Sequence, residues 1–95
     1  MKIELETTPT HGSFLIRNEG AIVAELSFRL KDGLFYLDHT EVEDSLEGKG
    51  IGKALVNRAV EYVREMGLKM VVLCPFAKVI FARKKEYWDV WKREI

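Results

Sequence analysis

Cysteine, proline and long apolar runs are the scarce features of this chain of 95 residues. Its single cysteine, Cys74, can form no internal disulfide, which fits a reducing compartment and leaves one thiol to explain. No segment approaches the ~18 apolar residues that a membrane span needs. The first residues, Met1 to Glu6, alternate apolar and charged side chains, the pattern of a strand and not of a secretory signal. Repeats, low-complexity stretches and linkers are missing too. The expectation is one cytoplasmic domain over residues 1–95, with no membrane partner and no bound metal.

Net charge is also lacking, but the formal zero hides an asymmetry. Residues 1–48 carry ten Asp or Glu against four Lys or Arg, and residues 49–95 carry eleven Lys or Arg against five Asp or Glu, so the halves stand near −6 and +6. An acidic half repels a nucleic acid over much of the surface, which excludes that partner class. A compact polyanion bound on one side suits the distribution better.

The coarse pattern is α/β (α+β). Ile3 and Leu5 suggest a first strand, and Ser13 to Arg17 a second, separated by a turn region that holds Pro9 and Gly12. Asn18-Glu19-Gly20 reads as a hairpin turn. After it, Ile22, Ala24, Leu26, Phe28 and Leu30 alternate with polar or small residues as a half-buried strand does. Lys31-Asp32-Gly33 turns the chain into a fourth strand, Leu34 to Val42, completing an antiparallel meander. From Gly50 the period changes: Ile51, Leu55, Val56, Ala59, Val60, Val63 and Met66 recur at helical spacing, and Gly67 supplies the stop. Lys69 to Cys74 reads as a fifth strand buried on both faces, parallel to the fourth and joined to it by a right-handed crossover. Pro75 suits the first position of a second helix, expected over Phe76 to Arg93 with an apolar series Phe76, Val79, Ile80, Trp88 and Trp91.

Gly48-Lys49-Gly50-Ile51-Gly52 lies between a strand and a helix. Backbone N–H groups and the positive helix end converge there on a space suited to phosphate, although a plain glycine turn reads the same way. A P-loop is excluded, because Gly52-Lys53 is followed by Ala54 and the first glycine position holds Glu47. A dinucleotide fingerprint is disfavoured as well: the loop follows a meander, and the position about 20 residues on that should be acidic is Met70.

The run Val42 to Leu55, after a meander and before an apolar strand, resembles the acetyl-coenzyme A motif Gln/Arg-x-x-Gly-x-Gly/Ala of the GNAT N-acetyltransferase superfamily. Asp38-His39-Thr40-Glu41-Val42, Cys74-Pro75-Phe76 and Tyr87-Trp88-Asp89-Val90 resemble, in order and spacing, its short single-domain subgroup. The resemblance covers roughly residues 20–90 and implies an acetyl-coenzyme A-dependent transfer of an acetyl group to an amine of unknown identity. It further implies that Glu47, Gly48, Lys49, Gly50, Ile51, Gly52 and Lys53 surround the pyrophosphate. Strands four and five would splay to admit the pantetheine arm between Val42 on one lip and Leu73, Cys74 and Phe76 on the other. The Arg83-Lys84-Lys85 cluster is a further phosphate candidate or a solvated helix face. Glu47 departs from the Gln or Arg of the motif and repels a pyrophosphate, while suiting a helix N-terminus.

Acyl transfer to an amine needs a base, oxyanion donors and an acid for the leaving thiolate. His39 is the candidate base, or a structural strand histidine, with Glu41 on its face by strand alternation and Asp38 on the other. Cys74 offers a covalent route if a partner such as His39 activates its thiol, or it is a small core residue. Tyr87 is a candidate acid or a packed aromatic, and Trp88 and Trp91 read as core or subunit contacts. Larger members of the superfamily it resembles build the acceptor pocket from a further strand pair, so with 21 residues after Cys74 the expectation is that most of that pocket is missing, which would suit a protein or peptide amine or a homodimer that completes the site. Two alternatives stay open: a non-catalytic acyl-coenzyme A sensor, and an interaction domain whose glycines form only a turn.

Overall fold

In the computed structural model, which describes residues 2–93, five strands form one sheet in the order β1-β2-β3-β4-β5. They are β1 (Glu4–Thr7), β2 (His11–Asn18), β3 (Ala21–Lys31), β4 (Leu34–Val42) and β5 (Lys69–Val72). The extreme ends of the 1–95 expectation lie outside the described residues. The meander is built by two tight turns. Glu19 and Gly20 (φ 52° and 83°), and Asp32 and Gly33 (φ 53° and 76°), take the paired positive φ that matches the twist of antiparallel strands. β5 then pairs with β4 in parallel, from Leu34 opposite Lys69 to Leu37 opposite Val72.

Helix α1 (Ile51–Met66) makes the connection and buries Leu55, Val56, Ala59, Val60 and Val63 completely against the sheet. Burying one such Leu or Val contributes about 1.5–3 kcal/mol, so this stripe is a principal source of stability. Gly67 ends α1 at φ 69°, with its N–H bonded to Arg64 O and that of Leu68 to Val63 O, a left-handed helix cap. On the sheet, Phe14, Phe28 and Phe35 gather around Tyr62 of α1, with Phe28 and Phe35 stacked at 4.3 Å between centroids. No helix among the described residues is long and apolar enough to cross a membrane.

The last segment departs from the sequence expectation. Helix α2 runs only Pro75–Arg83, and β5 ends at Val72 instead of Cys74. Lys84 turns extended (φ −113°, ψ 90°), a 3₁₀ turn follows at Lys85–Tyr87, and Trp91 returns to pair with Met70. Tertiary partners outweigh local helix propensity here. Trp88 Nε1 donates to Phe81 O at 2.7 Å, Arg64 holds Asp89, and Met70 bonds Val90 O and Lys92 N–H. Of the expected apolar series, Phe76 and Val79 are exposed, and α2 buries Ala77 and Phe81 instead.

Candidate active site

The site begins where β4 and β5 stop pairing. Leu37 O accepts the N–H groups of both Leu73 (3.0 Å) and Cys74 (3.2 Å), after which Pro75, which has no N–H to pair, turns the chain into α2. β4 continues alone from Asp38 to Val42. A cleft of about 480 Å³ opens beside it, bounded by Thr40 and Val42 on β4, Phe76 at the head of α2, and the loop from Leu46 to Lys53.

A bulge decides which side chains reach this cleft. Ser27 pairs with His39 but Phe28 with Leu37, so Asp38 is an extra residue in β4. Phe35 and Leu37 face the helix before the bulge, and Thr40 and Val42 face it after the bulge. This corrects the expectation that Asp38 and His39 stand on opposite faces. Asp38 lies on the outer face beside Tyr36, where the Arg29 guanidinium grips it through two 2.8 Å hydrogen bonds. That hydrogen bonding raises the Arg29 pKa, and Asp38 is thereby committed to structure.

The glycine loop divides its labour. Gly48 and Gly50 sit at φ 80° and 75° with open space where a Cβ would be, so glycine is required there by conformation alone. Gly52 has ordinary helical geometry, but a Cβ on it would come within 2.7 Å of the Phe76 ring. The first helical bond of α1 is Ala54 N–H to Gly50 O, and no side chain caps the helix. Among the described residues the N–H groups of Gly50, Ile51, Gly52 and Lys53 therefore have no protein acceptor, and they converge at the positive end of a helix of 16 residues.

Of the residues singled out from sequence, Val42, Glu47, Gly48, Gly50, Ile51, Gly52, Lys53 and Phe76 border the cleft. Lys49 belongs to the loop but points to solvent. Cys74 is 2% exposed and part of the hydrophobic core on the helix side, so it backs the site without bordering it. His39 stands on the opposite face of the sheet with its side chain 65% exposed, Nε2 3.8 Å from Glu41 Oε2. The two are not brought together. Tyr87 is buried, its ring tilted against Phe81, and it donates its hydroxyl to Asn57 Oδ1 at 2.8 Å, away from the cleft. Lys84 and Lys85 lie over the rings of Tyr87 and Trp88. Sequence reasoning missed Thr40 and Leu46 as cleft residues, because alternation without a bulge turns Thr40 outward.

The fold is one that known proteins share. A family model described as GCN5-related N-acetyl-transferase matches residues 13–90. A GCN5-like protein of Staphylococcus aureus is 31% identical over 97% of this chain and 90% of its own, with a TM-score of 0.71. Ribosomal-protein-alanine N-acetyltransferase from Brucella melitensis (23% identity, 93% of this chain, 66% of that one, TM-score 0.64) shares the fold. So does an acetyltransferase from Bacillus cereus (21%, 63% and 44%, TM-score 0.58). No curated protein matches the chain. The chain belongs to the GCN5-related N-acetyl-transferase family.

Proposed function

We propose that this chain is a cytoplasmic acetyl-coenzyme A-dependent N-acetyltransferase acting on an amine. The observation that carries the reading is the row of unpartnered N–H groups from Gly50 to Lys53, set at the mouth of a cleft beside the stretch of β4 that β5 leaves unpaired. Four convergent donors, the Lys53 ammonium and the helix end suit a pyrophosphate. The Glu47 carboxylate, also in the wall, opposes it and sets the affinity below what the amides alone offer. Val42 and Phe76 supply apolar walls for an extended arm, with Thr40 deeper in the same wall.

When bound, acetyl-coenzyme A supplies a thioester, an electrophile for a neutral amine. The chain's own part is to hold, orient and deprotonate. Glu25, Glu41, Glu43 and Asp44 gather around a neighbouring hollow of about 520 Å³, a negative field that draws a protonated amine towards the end of β4. His39, beside Glu41 but on the face of the sheet opposite the cleft, is the candidate base and reaches the amine proton through water. Cys74 as a covalent carrier requires the core around it to open, so direct transfer is the simpler course.

The test is isothermal titration with acetyl-coenzyme A on the wild type and Gly50→Val, followed by an acceptor screen. Micromolar binding that the variant loses supports the loop assignment, and turnover with any amine supports the enzyme. Binding without turnover on any amine favours a sensor. Absence of binding at millimolar ligand removes the reading.

A further inference from the structure

Among the described residues one buried side-chain oxygen or nitrogen has no hydrogen-bond partner, the hydroxyl of Thr40, whose Oγ1 exposes less than 1 Å². The core beneath it offers no free side-chain partner: its cluster is aliphatic and aromatic apart from the Cys74 thiol, the Met70 thioether and the Tyr87 hydroxyl, which is bonded to Asn57. An orphaned buried hydroxyl is costly and rare in a folded protein. Yet Thr40 borders the cleft while its Oγ1 is shielded. A χ1 rotation of about 120° moves the hydroxyl to another staggered position, which can carry the donor towards the cleft. Of the cleft walls, the part formed by Thr40, Val42, Leu46, Ile51 and Phe76 has no other hydrogen-bonding side chain. Glu47 and Lys53 belong to the loop end.

We propose that Thr40 is a ligand-contacting residue whose hydroxyl turns from the core into the cleft and donates a hydrogen bond to a carbonyl oxygen of the acyl-pantetheine arm. The assignment rests on the coenzyme A reading of the cleft. It explains why a threonine stands where Phe35, Leu37 and Val42 on the same face of β4 are apolar. The hydroxyl is unsatisfied in the free protein and satisfied in the complex, so its removal has opposite effects on the two.

The experiment compares wild type, Thr40→Val and Thr40→Ser by thermal unfolding without ligand and by isothermal titration with both coenzyme A and acetyl-coenzyme A. Free Thr40→Val is expected to melt no lower than wild type and up to about 8 °C higher. It binds about 3- to 12-fold more weakly, while Thr40→Ser keeps wild-type affinity. Weakening of acetyl-coenzyme A alone identifies the thioester carbonyl as the acceptor; equal weakening of both ligands identifies an amide of the arm. Three results overturn the assignment: unchanged affinity in Thr40→Val, a lower melting temperature of that variant, or an equal loss in Thr40→Ser. A wild-type chain that binds neither ligand removes the coenzyme A reading and this assignment with it.

Discussion

The ring of Phe76 rests against the backbone of Gly52, so close that a Cβ at position 52 would lie 2.7 Å from its Cζ. This contact joins the first turns of α1 and α2 and sets the width of the cleft. Phe76 is 43% exposed and can swing away, so the space lost to a methyl is taken from the cleft and not from the core. Gly52→Ala is expected to leave stability unchanged or raise it by up to about 1 kcal/mol through helix propensity. Affinity for acetyl-coenzyme A falls by about tenfold, or 1.4 kcal/mol. Calorimetric melting beside titration separates the two effects.

Gly50 obeys a different rule. Nothing lies within 4 Å of its absent Cβ, and its φ of 75° is the whole constraint. Gly50→Ala is expected to cost about 1–2 kcal/mol in urea unfolding. Gly50→Asn should cost less, because asparagine tolerates the left-handed region. Equal loss in both variants would contradict the conformational account.

Tyr87 donates to Asn57 and takes no part in the cleft. Tyr87→Phe is expected to lower stability by about 0.5–1.5 kcal/mol while leaving turnover unchanged. A large fall in kcat with stability intact would instead make the hydroxyl the acid for the leaving thiolate.

Arg64 clasps Asp89 with hydrogen bonds of 3.0 and 2.7 Å and also donates to Glu86 O, tying α1 to the C-terminal turn. The hydrogen bond from Arg64 holds the Asp89 carboxyl below the usual carboxylate range. A folded pKa below the unfolded one means that the stabilisation is complete above the unfolded value, about 3.9, and lost as pH falls through the folded one. Asp89→Asn is expected to lower the urea midpoint modestly at pH 7, the pair being exposed, and the gap to wild type should close below pH ~4. Midpoints measured at pH 7 and in acid check the sign.

The strands, both hairpins, α1 and the phosphate-type loop were legible in the sequence because each is specified locally. Period-two and period-3.6 patterns, Asp-Gly and Glu-Gly turns, and glycines at positive φ carry their own instructions. The resemblance added the parting of β4 from β5 and the proposal of coenzyme A as the loop's ligand. Four features had no local signal: the bulge at Asp38, which turns Thr40 inward; the burial of Cys74 apart from His39; the packing role of Gly52; and the end of α2 at Arg83. Each depends on a neighbour distant in the chain. β3 sets the register of β4, the core encloses the thiol, Phe76 fills the space over Gly52, and Met70 recruits Trp91 from a helix it was free to join. The sequence alone determined which segments become strands and helices and where the unpartnered amides of the glycine loop stand. Which side chains face the cleft was decided by tertiary structure, because a one-residue shift in register reverses a strand's faces without changing its local pattern.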